Sequence, residues 1–428
     1  MVHASISESK SLDSWCSHLL PDLDPPSGIL ADLQKSARSQ LSSIPAPHRK
    51  LEDWRFCDLS PLANLKPQQI QAALQPANPY PDTDVTRLFL GDQKDLQQQI
   101  LPQGLEFCSD EDIQAHLNDV VQHHGVSEHW PVALNQAISP DVIGLRVNGI
   151  VQKPLEIICN AGNAEGVLAI RVLLILEENA ELELLHVQLS SGANLSSAVL
   201  EAKLASNSKL NYGLLAFGTD ESALMNHLAI EQEISSTLSV VTAASGWGVL
   251  RNEPLALQCQ GDAHTEFRAL QFVRNHQLAD THSSVRFNGP NGTLDQLHKT
   301  VADGSGRSVF NGVVQVPRAA QRTNAGQLSR SLLMSDKARI DTKPELEIVA
   351  DDVKCTHGAT VSRIQEDQLF YLQSRGIGAQ QAAQLLLRAF CDEILSELPT
   401  VAEAWSPLER VLELPRANYE QHQSSPAQ

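Results

Sequence analysis

This 428-residue chain has few aromatic residues (4%), fewer basic than acidic residues, and no long apolar run. Each shortage excludes something. With so few rings, a core must be built mainly from Leu, Val, Ile and Ala, which suits stacked thin layers better than a bulky globular interior. The 32 Lys+Arg against 51 Asp+Glu leave a formal charge of −19. That balance disfavours nucleic-acid binding, which needs basic patches to neutralise phosphate, and equally disfavours adsorption to an anionic membrane. The longest apolar candidate, Val167 to Leu176, is interrupted by Arg171 and falls short of the roughly 18 residues a membrane span requires. The start, Met1-Val2-His3-Ala4-Ser5, lacks a basic segment followed by an apolar one, so no export signal is visible. Seven cysteines, at 16, 57, 108, 159, 259, 355 and 391, are an odd and scattered set that makes no disulfide framework. These absences predict a cytoplasmic protein, or a stromal one after removal of a targeting peptide, large enough for two or three domains.

Strong catalytic signatures are also missing. There is no Gly-x-Ser-x-Gly, no Gly-x4-Gly-Lys-Ser/Thr loop and no His-Glu-x-x-His. Gly246-Trp247-Gly248 and Gly304-Ser305-Gly306 lack the third glycine of a dinucleotide fingerprint and read as turns. His123, His124 and His129 read as solvated, since no Cys or carboxylate cluster stands at ligand spacing. His264, His276, His282 and His298 read as surface residues.

What is present falls into three zones. Residues 1–138 read as helices with Pro-rich connections: Gly28 to Ile44 has helical spacing, and Ser109-Asp110-Glu111-Asp112 opens a helix expected to end near Gly125. Thr86 to Leu90 reads as a strand. Residues 139–362 alternate apolar and polar residues in short runs punctuated by Gly, Asn and Asp, the mark of half-buried strands. Residues 363–420 return to helical spacing, with Gly376 as a left-handed cap. The tail, 421–428, has no apolar content and reads as disordered.

A period runs through the middle zone. Asn179-Ala180-Glu181-Leu182, Asn207-Ser208-Lys209-Leu210 and Ser235-Ser236-Thr237-Leu238 place leucines 28 residues apart. Phe267 follows 29 residues later and Leu294 another 27. Such a period belongs to a solenoid whose repeats bury their faces only against neighbours, and with strands and no helices between them it is a β-helix.

Where strands give way to helix stands Ala350-Asp351-Asp352-Val353-Lys354-Cys355-Thr356-His357-Gly358. On a strand, Cys355 and His357 share a face, and thiolate and imidazole are ligands that iron and zinc accept. A lone Cys-x-His cannot complete a site, so further ligands would come from another segment or chain; a buried Cys beside a turn is the bland reading.

Several stretches then match one family pattern in order. They are Pro47-His48-Arg49-Lys50-Leu51-Glu52-Asp53-Trp54-Arg55-Phe56, Thr323 to Leu333, Asp341 to Ile348, Ala350 to Thr360, and Glu366 to Ile377. Together they resemble the SufB/SufD family of iron–sulfur cluster assembly, on its SufD side. The Glu-His-Glu-Ala segment and N-terminal Cys motif usual in SufB-like chains are absent, and Thr356 replaces a commoner Ser.

The resemblance implies a mainly β fold: a right-handed parallel β-helix flanked by N-terminal and C-terminal helical domains. It implies a non-enzymatic scaffold subunit of a complex with one SufB-like chain and two SufC-like ATPase subunits. Cys355 and His357 would lie at the SufB–SufD interface, where the partner supplies a Cys and a Glu. His357 would serve as ligand or as proton acceptor. Glu366, Phe370, Tyr371, Arg375 and Gly376 would fall in the ATPase-docking region. No cofactor would be held stably by this chain alone; an Fe–S cluster would be a transient product on the complex. The isolated chain could also form a homodimer. The alternatives are an exported-type β-helix polysaccharide lyase or hydrolase, needing carboxylates or Arg clustered on one face, and a purely structural solenoid.

Overall fold

The structure, a computed structural model, describes residues 11–73, 80–90 and 99–412; the tail at 421–428 lies outside them. The chain is mainly β, and its centre is a parallel solenoid of about eight turns. Each turn gives one strand to each of two nine-stranded sheets. The first sheet runs from Thr86–Phe89 through Leu155–Asn160 to Lys354–Ser362, and the second from Leu105–Phe107 through Ile143–Val147 to Arg339–Ile348.

The short motif that announces each repeat is a turn. Asn179, Asn207, Ser235, Asp262, Asn291 and Arg322 all adopt positive φ, between 52° and 60°. Each stands three residues before the first inward side chain of its strand. Asn and Asp tolerate this left-handed conformation better than most residues, which explains the recurrent polar residue. Glycine is needed where backbones nearly touch: a Cβ on Gly248 would lie 2.1 Å from the Asp220 carbonyl oxygen. Both Gly-x-Gly stretches are turns between strands.

Strand register bears out the first two leucine steps and corrects the next. Leu182, Leu210 and Leu238 stack as Cα partners. Leu238 then pairs with Thr265, not Phe267, and Thr265 pairs with Leu294. A hydroxyl holds the position because two neighbours accommodate it. Thr265 Oγ1 donates to Gln232 Oε1 at 2.5 Å and accepts from Gln258 Nε2 at 2.9 Å. Phe267 occupies the next inward column, partnered with Val240. The coils also hold more rings than the composition suggested: Tyr212, Phe267, Phe287 and Trp247 are buried in the solenoid core.

Helical layers cover both outer faces. Against the second sheet, Leu12, Trp15, Leu62 and Trp130 pack on Leu195, Met225, Val249 and Leu278. Against the first, Cys391, Ile394, Leu395 and Trp405 pack on Leu185, Leu215, Val241 and Leu270. With interior and exterior both covered, several strands are buried on both faces rather than half-buried: every residue of Val249–Gln258 is buried, Arg251, Asn252 and Glu253 included. The N-terminal zone also contributes strands: Thr86–Phe89 pairs in parallel with Leu155–Asn160, and Leu105–Phe107 pairs antiparallel with Ile143–Val147.

The helix expected from Ser109 to near Gly125 is two helices. Its capping box forms as read, but Asn118 has φ 74° and separates Asp110–His116 from Asp119–His123. The break presents the backbone N–H groups of Asn118 and Val121 to Glu201. Glu201 is itself fully buried and paired with Arg171 at 2.5 Å. Anchoring a buried carboxylate outweighs continuing the helix.

Candidate functional site

The outer layers barely reach the last turn, touching it through the Glu52–Lys343 ion pair at 3.0 Å. In Arg339–Ile348 and Lys354–Ser362, no residue is buried. These two strands also end their sheets, so among the described residues each leaves one edge unpaired. Ile348, Val349 and Val361 form an exposed apolar rim, Val349 at 60%. The solenoid therefore has one open mouth with two free strand edges and an apolar border, a surface that invites pairing with another chain.

Cys355 and His357 stand in that mouth. Cys355 partners Ala325, and His357 partners Gln327. Traced back through the register, Cys355 ends the column of Leu182, Leu210, Leu238, Thr265, Leu294 and Ala325. His357 ends the column of Leu184, Tyr212, Val240, Phe267, Gln296 and Gln327. These are inward-pointing columns, so two residues that look isolated in sequence cap the solenoid core. Cys355 is half-buried and packs against that core, whereas His357 is exposed. Burial raises the thiol pKa of Cys355, opposed by a backbone hydrogen bond from Ala325. The resting group is thus a thiol, and its thiolate needs a nearby cation or a proton acceptor.

The strand is held from the preceding coil. Lys354 N–H donates to the Thr323 carbonyl at 2.9 Å, Asp352 N–H to Gln321 Oε1 at 3.0 Å, and Arg322 N–H to the Asp352 carbonyl at 2.6 Å. Among the described residues, no three His, Cys, Asp or Glu side chains converge as a metal site. The mouth offers two ligand types side by side, and a bound iron would have to draw its other ligands from outside this set.

The five C-terminal residues singled out in the sequence lie on or beside Glu366–Ser374, a helix without one buried residue. Phe370 is 73% exposed and Tyr371 56%. The Arg375 guanidinium lies over the Tyr371 ring, 5.4 Å from its centre. Gly376, at φ 86°, ends the helix as expected, with Ile377 N–H donating to the Leu372 carbonyl. Two exposed rings thus stand on an unburied helix.

The histidines divide differently from the sequence reading. His264 and His276 are exposed, but His298 is 1% exposed and stacked on Phe310 at 4.3 Å. His282 is part-buried, its Nε2 3.1 Å from Asp280 Oδ1. His123 and His129 are exposed, while His124 is part-buried, its Nε2 3.1 Å from the Ile230 carbonyl oxygen. The sequence reading also passed over His186, whose rings and neighbours fill the solenoid interior: Nδ1 is 2.8 Å from Tyr212 Oη, and Nε2 is 3.3 Å from Cys159 Sγ. The signal was available, since His186 and His298 fall at inward positions of the same strand alternation.

Comparison with known proteins accords with this geometry. Residues 158–390, just over half the chain, match the family model for the SUF system FeS cluster assembly, SufBD core domain. An iron–sulfur cluster assembly SufBD family protein of Synechocystis is 31% identical over 402 residues, 87% of this chain and 88% of that one. The iron–sulfur cluster assembly protein SufD of Escherichia coli is 32% identical over 375 residues, 84% of this chain and 87% of its own. Protein ABCI7, chloroplastic, of Arabidopsis thaliana is 38% identical over 233 residues, 54% of this chain and 49% of that protein. The capped columns, the two-sheet solenoid and these matches identify the chain as a member of the SufB/SufD family of iron–sulfur cluster assembly proteins.

Proposed function

We propose that this chain is a non-enzymatic cytoplasmic subunit of a SufBCD-type complex, pairing with a SufB-like subunit at the open mouth and recruiting a SufC-like ATPase through its C-terminal helices. One observation carries the reading: Cys355 and His357 cap adjacent inward columns at an uncovered solenoid end. A SufB-like partner laid on those edges would add the ligands that the pair lacks, and the nascent Fe–S cluster would be the cargo of the joint site. Cys355 would be a sulfur ligand. His357 would be a second ligand or would take up the thiol proton. Without that partner, the same edges favour pairing of two copies of this chain. The Phe370 and Tyr371 rings, with Glu366, Arg375 and Gly376 shaping the helix and its end, would be the ATPase contact.

The test is co-expression with SufB-like and SufC-like partners. His357→Ala is expected to lower the cluster content of the purified complex. Because the residue is exposed, stability should stay within about 0.5 kcal/mol. Unchanged cluster content would remove the proposed role of the mouth. Phe370→Ala with Tyr371→Ala should release the ATPase and leave the SufB-like partner bound; retention of the ATPase would refute that contact.

A further inference from the structure

Beneath His357 lies a row of side-chain amides that the site as described does not use. Gln327 is its Cα partner in the preceding coil and is 2% exposed. Gln327 Nε2 donates to Gln296 Oε1 at 2.9 Å, and Gln296 Nε2 donates to Ser283 Oγ at 2.7 Å. Gln327 thus donates back to its own column, and Gln296 donates across the lumen to the facing sheet, so the amide nitrogen of each is spent on a bond. The last carbonyl, Gln327 Oε1, is buried and has no partner among the described residues, and the following coil carries His357. The backbone makes room for this arrangement: a Cβ on Gly312 would lie 2.3 Å from Gln327 Nε2. Leaving a buried acceptor unmade costs about 1–3 kcal/mol, which a solenoid could avoid with Leu or Val at this position.

Stacked strands stand about 4.8 Å apart, a spacing that an imidazole N–H of one coil can bridge to an amide oxygen of the next. We propose that Gln327 is a positioning residue for His357: its Oε1 accepts one ring N–H, fixes a single neutral tautomer, and leaves the other ring nitrogen free to face the mouth. An imidazole that must bind a metal or take a proton works through one nitrogen while the other is held by such an acceptor. Gln296 and Ser283 act one step further back, by holding the Gln327 amide in that orientation. This assignment rests on the role given to His357 above.

The experiment uses the complete chain, labelled with 15N-histidine and joined to unlabelled SufB-like and SufC-like partners. The His357 ring signals are isolated by difference against His357→Ala in solid-state 15N spectra. The wild-type complex should show one tautomer. Gln327→Met should give both, with cluster content lower by roughly 10-fold, the usual scale for losing such an outer hydrogen bond. Gln327→Glu keeps an acceptor and should keep the single tautomer. Should Gln327→Met fail to fold, Gln296→Met releases the Gln327 amide without touching it and should also mix the tautomers. A mixed tautomer in the wild type, or a single tautomer that survives both Met variants, would overturn the assignment. A Gln327-dependent tautomer beside unchanged cluster content in His357→Ala would uphold the positioning and overturn the function proposed for the ring.

Discussion

The solenoid interior is mostly apolar over its first turns and mixed with polar groups over its last, although both parts share one backbone plan. Near the N-terminal end, the inward columns hold Leu155, Ile157, Leu182, Leu184, Leu210 and Leu214. Toward the mouth, beside Phe287, Leu294 and Val314, the polar residues Gln271, Thr281, Ser283, Gln296, His298, Thr300, Ser308 and Gln327 are buried. They bond to each other: Gln271 Nε2 to Thr281 Oγ1, Ser308 Oγ to Gln271 Oε1, and Gln327 through Gln296 to Ser283. Apolar columns tolerate small rotations because dispersion has no direction. Hydrogen-bonded amides and hydroxyls do not, since each bond weakens steeply when misaligned. The difference teaches a division of labour: the first turns supply stability, and the last turns supply fixed orientation beneath the two residues of the mouth.

The largest effect expected of this comparison lies in the apolar turns. Leu184 is fully buried in the column that ends at His357. Leu184→Ala removes its transfer energy and opens a void that stacked strands cannot close. A loss of about 3 kcal/mol is expected, read from urea unfolding. A loss below about 1 kcal/mol would show that these turns relax, and the division would fail at its first half.

Acid should act on both parts with the same sign. His186 in the apolar turns and His298 in the polar ones are both driven down by burial, to about 4 and about 3 from 6.5. His124 on the flank behaves likewise, at about 4. With folded values below unfolded ones, the unfolded chain takes up protons first as pH falls. Stability is therefore intact above about 6.5, declines through the interval down to about 4, and loses roughly 1.4 kcal/mol per pH unit for each fully titrating ring. Unfolding midpoints across that interval measure the slope. Replacing His186 and His298 together by Gln should reduce the slope and leave the share of His124 and of His129, whose pKa desolvation also lowers. An unchanged slope would mean that neither interior ring is held neutral.

Much of this molecule was legible in the sequence, and the illegible part has a common cause. The leucine period and the left-handed turn residues expose a solenoid because each repeat solves the same local problem. The shared face of Cys355 and His357 follows from strand alternation alone. What escaped were features set by partners distant in sequence. Phe267 looked like the next stacked residue because it is large and apolar, yet Thr265 holds that register through Gln232 and Gln258, residues 33 and 7 positions away. His298 looked superficial because a single histidine carries no sign of the Phe310 ring stacked on it. The split at Asn118 depends on Glu201, 83 residues downstream. A polar interior resembles a polar surface until the register is known.

Thr265 offers the smallest and most discriminating test, because it sits where the apolar column is first interrupted. Thr265→Val keeps the shape of the side chain and deletes one hydroxyl. Gln258 Nε2 keeps a second acceptor, the Thr293 carbonyl at 3.0 Å, whereas Gln232 Oε1 loses the donor shown for it. The cost should be about 1 kcal/mol, well under that of Leu184→Ala although both positions are fully buried. Adding Gln232→Leu removes the stranded acceptor. The double variant should then lose less than the two single losses combined, with a coupling of at least about 0.5 kcal/mol. Simple additivity would show that Thr265 and Gln232 act as packing groups, and the polar turns would differ from the apolar ones in composition but not in the physics that holds them.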